Sequence, residues 1–234
     1  MNEEGLLVRP KFDTPSEYLR QGKMTEFDMD ILRLASRVKS KGNDENTIIE
    51  LINLMNKETK RLDKAFRDQR KFKRTASEIL TSGERTGCCD SATLFTAMAR
   101  SQGIPTMQII TLRKEDALKS LKDGSTVCSG HFWVGCYAKN EAGENEWMLF
   151  NSDSNHPRRM EWDLEDRNIR DCYAFAYVND YRDVELVRDD KLGILKIDSI
   201  DSMNRIQTEV ARRCDTSLFK EDIRKSRDDM EREL

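Results

Sequence analysis

The chain has two histidines among its 234 residues, and that scarcity bounds the chemistry open to it. Any imidazole base must be His131 or His156. No stretch approaches the roughly 20 apolar residues of a membrane-spanning helix, so no membrane span is expected. The opening residues, MNEEGLLVRPKF, lack a basic segment followed by an apolar run, which reads as an unexported protein. A bias of charge is also missing: the net charge is -3 although 35% of residues are charged. Nothing in that balance predicts a nucleic-acid or membrane surface as partner. There is no internal repeat, no glycine-rich phosphate loop and no loop of alternating Asp/Asn ligands with glycine that would mark an EF-hand. No metal-ligand spacing is evident either. Cys88, Cys89 and His131 do not read as a zinc set, because adjacent cysteines chelate one tetrahedral ion poorly and no fourth ligand stands out. Neither metal nor cofactor is expected. The six cysteines have no regular spacing and make no disulfide framework, so a reducing compartment, the cytoplasm, is the expected setting.

What the chain does have is amphipathic periodicity over a length sufficient for one sizeable core. Residues 1–13 read as an irregular arm, and Thr14-Pro15-Ser16-Glu17 as a capping box that opens a short helix. Thr25 reads as the cap of a stronger helix, with Phe27, Ile31, Leu34, Ala35 and Val38 on one face and Gly42 ending it. Asn46 to Phe66 forms the next, carrying Ile48, Ile49, Leu51, Ile52, Met55 and Leu62, and the two are expected to pair as a hairpin. The basic run Arg61 to Arg74 is broken by Asp63 and Asp68 and reads as a solvated face. Thr75 to Glu78 repeats the capping-box pattern ahead of a helix from Ala76 to Thr81. Short strands are expected at 107–112, 130–137, 146–150, 172–178 and 183–187, a sheet of about five, with a charged helix or flap over 114–124. From Ser202, Met203, Ile206, Val210 and Cys214 form a stripe, followed after a break at Asp215-Thr216 by Leu218, Phe219, Ile223 and Met230. The 202–234 tail either packs back on its own domain or offers a partner or dimer contact. The expected organisation is a helical part over 1–74, a core over 75–190 and a helical tail over 191–234, all in one globular domain.

Chemistry concentrates between Thr75 and Pro105. Gly83 and Gly87 punctuate a loop in front of Cys88, after which Ala92, Phe95 and Ala99 recur at helical spacing until Gly103-Ile104-Pro105 ends the run. Cys88 therefore falls at a helix start, where unpaired N–H groups and the macrodipole favour thiolate over thiol. The plain alternative is that Cys88 and Cys89 are small buried hydrophobes, the commoner fate of an intracellular cysteine. A cysteine nucleophile needs a base, and His131 sits in the strand-like run Gly130-His131-Phe132-Trp133-Val134-Gly135-Cys136-Tyr137, where period-two alternation puts Trp133 on its face. His156, beside Pro157 and two arginines, reads as a loop histidine. The strand ending in Phe150 is followed by Asn151-Ser152-Asp153. Antiparallel pairing through the turn at 140–145 brings its end towards His131. Asn151 is then the group that orients the imidazole, with Asp153, two residues on, as the alternative.

These segments resemble the transglutaminase-like superfamily of papain-fold cysteine enzymes. The family pattern G-C-x-[DE]-x-A followed by a helix ending R-x-x-G-I-P matches Gly87-Cys88-Cys89-Asp90-Ser91-Ala92 through Arg100-Ser101-Gln102-Gly103-Ile104-Pro105. Its H-x-[WF]-V strand matches His131-Phe132-Trp133-Val134, and its W-x-x-x-D strand end aligns Trp147 with Asn151. The likeness runs from about Thr75 to Asp153. It implies an α+β, papain-like fold with the nucleophile helix on an antiparallel sheet, and Cys88 as nucleophile, with Cys89 on a variable position as the rival. It also implies a Cys88-His131-Asn151 triad performing acyl transfer on a peptide, protein or small amide. Asn151 in the Asp position is similar to the Cys-His-Asn arrangement of papain-like proteases. Hydrolysis by a peptidase, amidase or deamidase is expected ahead of crosslinking, because a small chain offers few ways to keep water from a thioester. A catalytically silent scaffold with the same fold is the alternative from another class.

Overall fold

A computed structural model describes residues 15–40, 42, 44–62, 73–113, 130–160, 162, 172–180, 188–189 and 194–195. Pro15–Leu19 forms a single 3-10 turn. Helix α1 spans Met29–Ala35, α2 spans Glu45–Glu58, α3 spans Ala76–Ser82 and α4 spans Cys88–Ser101. Strands β1 (Lys60–Arg61) and β2 (Glu84–Arg85) form a short parallel ladder. The main sheet has β3 (Thr106–Arg113), β4 (Gly130–Lys139), β5 (Asn145–Phe150), β6 (Arg159–Met160) and β7 (Cys172–Val178) in the order β6-β5-β4-β3-β7. Every pairing in it is antiparallel. Strands β8 (Arg188–Asp189) and β9 (Ile194–Leu195) form a separate pair. The fold is α+β and papain-like, as the sequence implies.

Helix α4 is the axis of this arrangement. Its residues Cys89 to Arg100 are buried all round, not along the Ala92, Phe95, Ala99 stripe alone. Helices α1, α2 and α3 pack on one side of it and the sheet on the other. Gln108 Nε2 donates to Thr93 Oγ1 at 3.4 Å, which fixes the side of β3 that faces α4. Directly paired residues share a side, so Val134 and Phe150 face the helix with Gln108. Met107, Gly135 and Leu149 form a row on the reverse face, where the edge of Tyr18 also meets Trp147 with centroids 5.4 Å apart. Gly135 packs closely there, because a Cβ would lie 3.0 Å from Met107 Cγ and 3.3 Å from Ile109 Cδ1 and would push those side chains aside.

Several boundaries differ from the sequence reading, each for a local reason. Asp28 rather than Thr25 caps α1, its Oδ1 accepting from the N–H groups of Asp30 and Ile31 at 3.0 Å. Thr25 is buried and its hydroxyl accepts from Gly22 N and from Arg100 Nη1. Helix α2 begins at Glu45, one residue ahead of the expected start at Asn46, with Asp44 as its cap. That helix stops at Glu58 because Thr59 adopts an extended conformation, its hydroxyl donating to Met55 O at 2.8 Å. Arg61 therefore lies on a strand, not on the solvent side of a longer helix. Helices α1 and α2 each pack chiefly on α4 rather than as a hairpin, although Arg37 reaches Glu58 at 2.8 Å. The Thr75 capping box is formed as read, with Gly83 in the left-handed conformation closing α3. The two-residue strands β1, β2 and β6 carry too little pattern to be read locally. The strand expected at 183–187, the 114–124 segment and the 202–234 tail lie outside the described residues.

Candidate functional site

The β4–β5 ladder ends at the pair Val134↔Phe150, so β4 continues past it through Phe132 and His131 without a β5 partner. The first residue of α4 meets the sheet at this notch. Cys88 hydrogen-bonds to the His131 ring and receives the backbone N–H of Phe132. On the other side of the ring, His131 Nε2 lies 3.0 Å from Asn151 Oδ1, in the first residue after β5. The Asp153 backbone N–H donates to that same Oδ1 at 3.1 Å, which identifies it as the carboxamide oxygen. Nε2 must then carry the proton, leaving Nδ1 for Cys88.

Trp133 covers the imidazole edge-on with centroids 4.5 Å apart. Its indole N–H donates to Thr111 Oγ1 at 3.2 Å, and Thr111 Oγ1 donates to the His131 carbonyl, so the aromatic wall is tied to the backbone of His131. Cys88, His131 and Asn151 are each half-buried, whereas Cys89 and Cys136 are buried. Burial and the polar partners compete at both titrating groups. Burial pushes the Cys88 thiol up, but the hydrogen bond and charge of His131 and the Phe132 N–H outweigh it, and the thiol falls below its ordinary value. Burial pushes His131 down, and the bonds to Cys88 and Asn151 with the Asp153 charge outweigh it, so His131 is raised. Both shifts favour a thiolate–imidazolium pair. Cys136 shows the contrast: with burial dominant, its thiol is pushed up to about 12.

The loop ahead of Cys88 is held by groups the sequence reading did not assign. Gly87 precedes the helix at φ 143 and supplies no side-chain cap, so the first-turn N–H groups of α4 are not consumed by a capping oxygen. Asp90 is buried, and its Oδ2 accepts from Thr86 N at 2.7 Å and Thr86 Oγ1 at 2.8 Å and pairs with Arg74. Asp153, the alternative orienting group, does not bond the imidazole; it binds Arg85 and Arg61 and accepts from Ser91. Asp90 lies in the family motif and was legible as a position. Arg61 and Arg85 were not, since nothing in a two-residue ladder distinguishes a structural guanidinium from a solvated one. His156 lies in the exposed loop after β5. Among the described residues no group of three or more His, Cys, Asp or Glu could hold a metal ion, and no helix is long and apolar enough to cross a membrane.

A family model described as the transglutaminase-like superfamily matches residues 33–152, just over half of the chain. Among solved structures, the chain is similar to a protein from Cytophaga hutchinsonii described as a candidate cysteine protease, with 14% identity and a TM-score of 0.50. That likeness covers 77% of this chain and 53% of the other, so this chain spans about half the length of that structure, and the likeness is one of fold. Among curated proteins none matches.

Proposed function

We propose, from the premise that this chain belongs to the transglutaminase-like superfamily, that it is a cysteine enzyme performing acyl transfer on an amide. Cys88 is the nucleophile, His131 the acid and base, and Asn151 the group that orients the imidazole. The observation that carries this reading is one imidazole shared between the Cys88 sulfur and Asn151 Oδ1. In this reading the Cys88 thiolate attacks the amide carbonyl carbon, and the resulting oxyanion meets the uncapped N–H groups of the first turn of α4. Nδ1 of the His131 imidazolium gives its proton to the amide nitrogen as the C–N bond breaks. Ammonia or an amine leaves, and the acyl group remains as a thioester on Cys88. Water, or a second amine, then loses a proton to His131 and attacks the thioester, and the thiolate departs.

Water is the favoured acceptor, which makes the activity that of a peptidase, amidase or deamidase on a peptide, protein or small amide. Crosslinking would require two protein side chains to meet at a thioester screened from solvent, and half-buried Cys88 and His131 favour access over exclusion. A reducing compartment such as the cytoplasm suits a thiolate nucleophile. The test is a screen of the purified protein with glutamine peptides and peptide amides in the presence of an added primary amine. Release of ammonia or acid should exceed amine incorporation. Cys88→Ala and His131→Ala should each lose roughly a thousandfold or more in turnover, while Cys89→Ser should retain it. Amine incorporation that outpaces release would overturn the hydrolytic preference, and no turnover of any amide would leave the fold as a binding scaffold.

A further inference from the structure

Asp153 touches both halves of the site without touching the imidazole. Its side chain is only 6% exposed. Oδ1 accepts from Ser91 Oγ at 2.7 Å and from Arg85 Nη1 at 3.3 Å, and Oδ2 pairs with Arg61 Nη2 at 3.1 Å. Ser91 Oγ in turn accepts from Arg85 Nη1 at 2.6 Å, with the Gly87 carbonyl 3.0 Å away as its alternative acceptor. Ser91 lies in the first turn of α4, Arg85 on β2 immediately before the nucleophile loop, and Arg61 on the paired strand β1. Arg61 Nη2 is 3.9 Å from where a Cβ on Gly87 would stand, so it lies against the residue that precedes the nucleophile. The backbone N–H of Asp153, meanwhile, donates to Asn151 Oδ1.

We propose that Asp153 is a positioning residue that couples the two halves of the site: its carboxylate holds the segment bearing Cys88, and its backbone N–H fixes the carboxamide that orients His131. The role rests on the proposed triad and goes beyond it, since Asp153 acts on the reacting pair through Ser91, Arg85 and Asn151. It also gives the cluster a defined electrical sense. One carboxylate faces two guanidiniums, and the adjoining pair is Asp90 with Arg74. The negative charge of Asp153 disfavours the Cys88 thiolate and favours the His131 imidazolium. Removing the carboxylate takes a counter-charge from both guanidiniums and leaves the cluster more positive, with Asp90 acting on Arg85 alone of the two. Removing Arg61 leaves the carboxylate less neutralised.

The test is the rate of Cys88 alkylation by iodoacetamide against pH, followed by mass spectrometry of the Cys88 peptide, for the wild type, Asp153→Asn and Arg61→Gln. Asparagine keeps the shape and can still accept from Ser91. Its alkylation limb should move to lower pH by about half a unit, and its turnover should fall about tenfold with KM little changed. Arg61 is half exposed on a surface ladder, so Arg61→Gln should fold as the wild type does, and its limb should move to higher pH. A residue that merely stabilised the fold would lower the melting temperature without moving the two limbs in opposite directions. Limbs that stay put, or move in the same direction, overturn the proposal. If Asp153→Asn does not fold, Arg61→Gln decides alone: a limb at or below the wild-type position overturns it. A wild-type limb at the ordinary thiol value of about 8.5 overturns the triad reading itself, an outcome distinct from a normal wild type with unmoved variants.

Discussion

At Asn151 a single carboxamide oxygen accepts two hydrogen bonds, one from His131 Nε2 and one from the Asp153 backbone N–H. A neutral amide orients the ring through a dipole, whereas a carboxylate in its place would add a full charge that favours the imidazolium. His131 is already raised, so the sign for Asn151→Asp is clear: the pKa rises further. Turnover should persist. The alkaline limb of kcat/KM, where the imidazolium is lost, should move to higher pH, and a pH–rate profile of wild type and variant checks this. A limb that stays in place or moves toward acid would show that His131 is not the group titrating there. Because Cys88 and His131 interact, both limbs belong to the pair rather than to one residue. The sequence places Asn151 ahead of Asp153 as the orienting group but keeps both open, since two residues of spacing leaves both on one side of an extended chain. Arg85 and Arg61 explain why Asp153 stays away from the imidazole: they hold its carboxylate, and they come from chain segments far away in sequence.

Helix α4 begins where it does because Gly87 takes a backbone conformation, φ 143, that other residues rarely adopt. There is room for a methyl group, as the nearest atom to an added Cβ is Arg61 Nη2 at 3.9 Å. The cost of Gly87→Ala is therefore backbone strain, about 1–3 kcal/mol, and relief of that strain would shift the first turn that carries Cys88. The variant should unfold at lower urea concentration and react more slowly with iodoacetamide at a fixed pH. Unchanged stability would mean that the loop relaxes without cost and that the glycine is dispensable. Among the elements, the Thr75 capping box was legible because its reciprocal bonds are local, Thr75 N to Glu78 Oε2 at 2.7 Å and Glu78 N to Thr75 Oγ1 at 3.3 Å. Thr25 misled for the opposite reason: its hydroxyl is taken by Arg100, 75 residues away in sequence. The start of the Cys helix was legible from the glycines before it. Its complete burial was not, since polar Asp90, Ser91, Thr93 and Thr96 lie outside the Ala92, Phe95, Ala99 stripe and are enclosed only by the sheet and three helices.

Across the whole molecule, local signals yield the β4–β5 hairpin, whereas the interior position of β3, between β4 and β7, depends on its pairing with β7 across an intervening stretch that no local pattern encodes. The closure of that end rests on two buried charged side chains. Asp180 Oδ2, just after β7, accepts from Met24 N at 2.5 Å and Thr25 N at 3.2 Å. Arg100, at the far end of α4, donates to the carbonyls of Arg20, Thr106 and Asn179 and to Thr25 Oγ1. A planar guanidinium reaches partners in several directions at once, and a lysine ammonium on one atom does not. Arg100→Lys keeps the charge and strands several buried acceptors, so it should cost about 3 kcal/mol, read as a lower urea midpoint. Arg100 lies twelve residues along α4 from Cys88, about 18 Å at the helical rise, which exceeds the roughly 10 Å screening length in ordinary salt. The folded variant should therefore alkylate at Cys88 with the wild-type pH limb. A stability loss below about 1 kcal/mol would mean that the fork is not what joins the N-terminal segment to the sheet. A displaced limb would mean that the clamp at one end of the helix sets the electrostatics at the other, and that fold and site are not separable along α4.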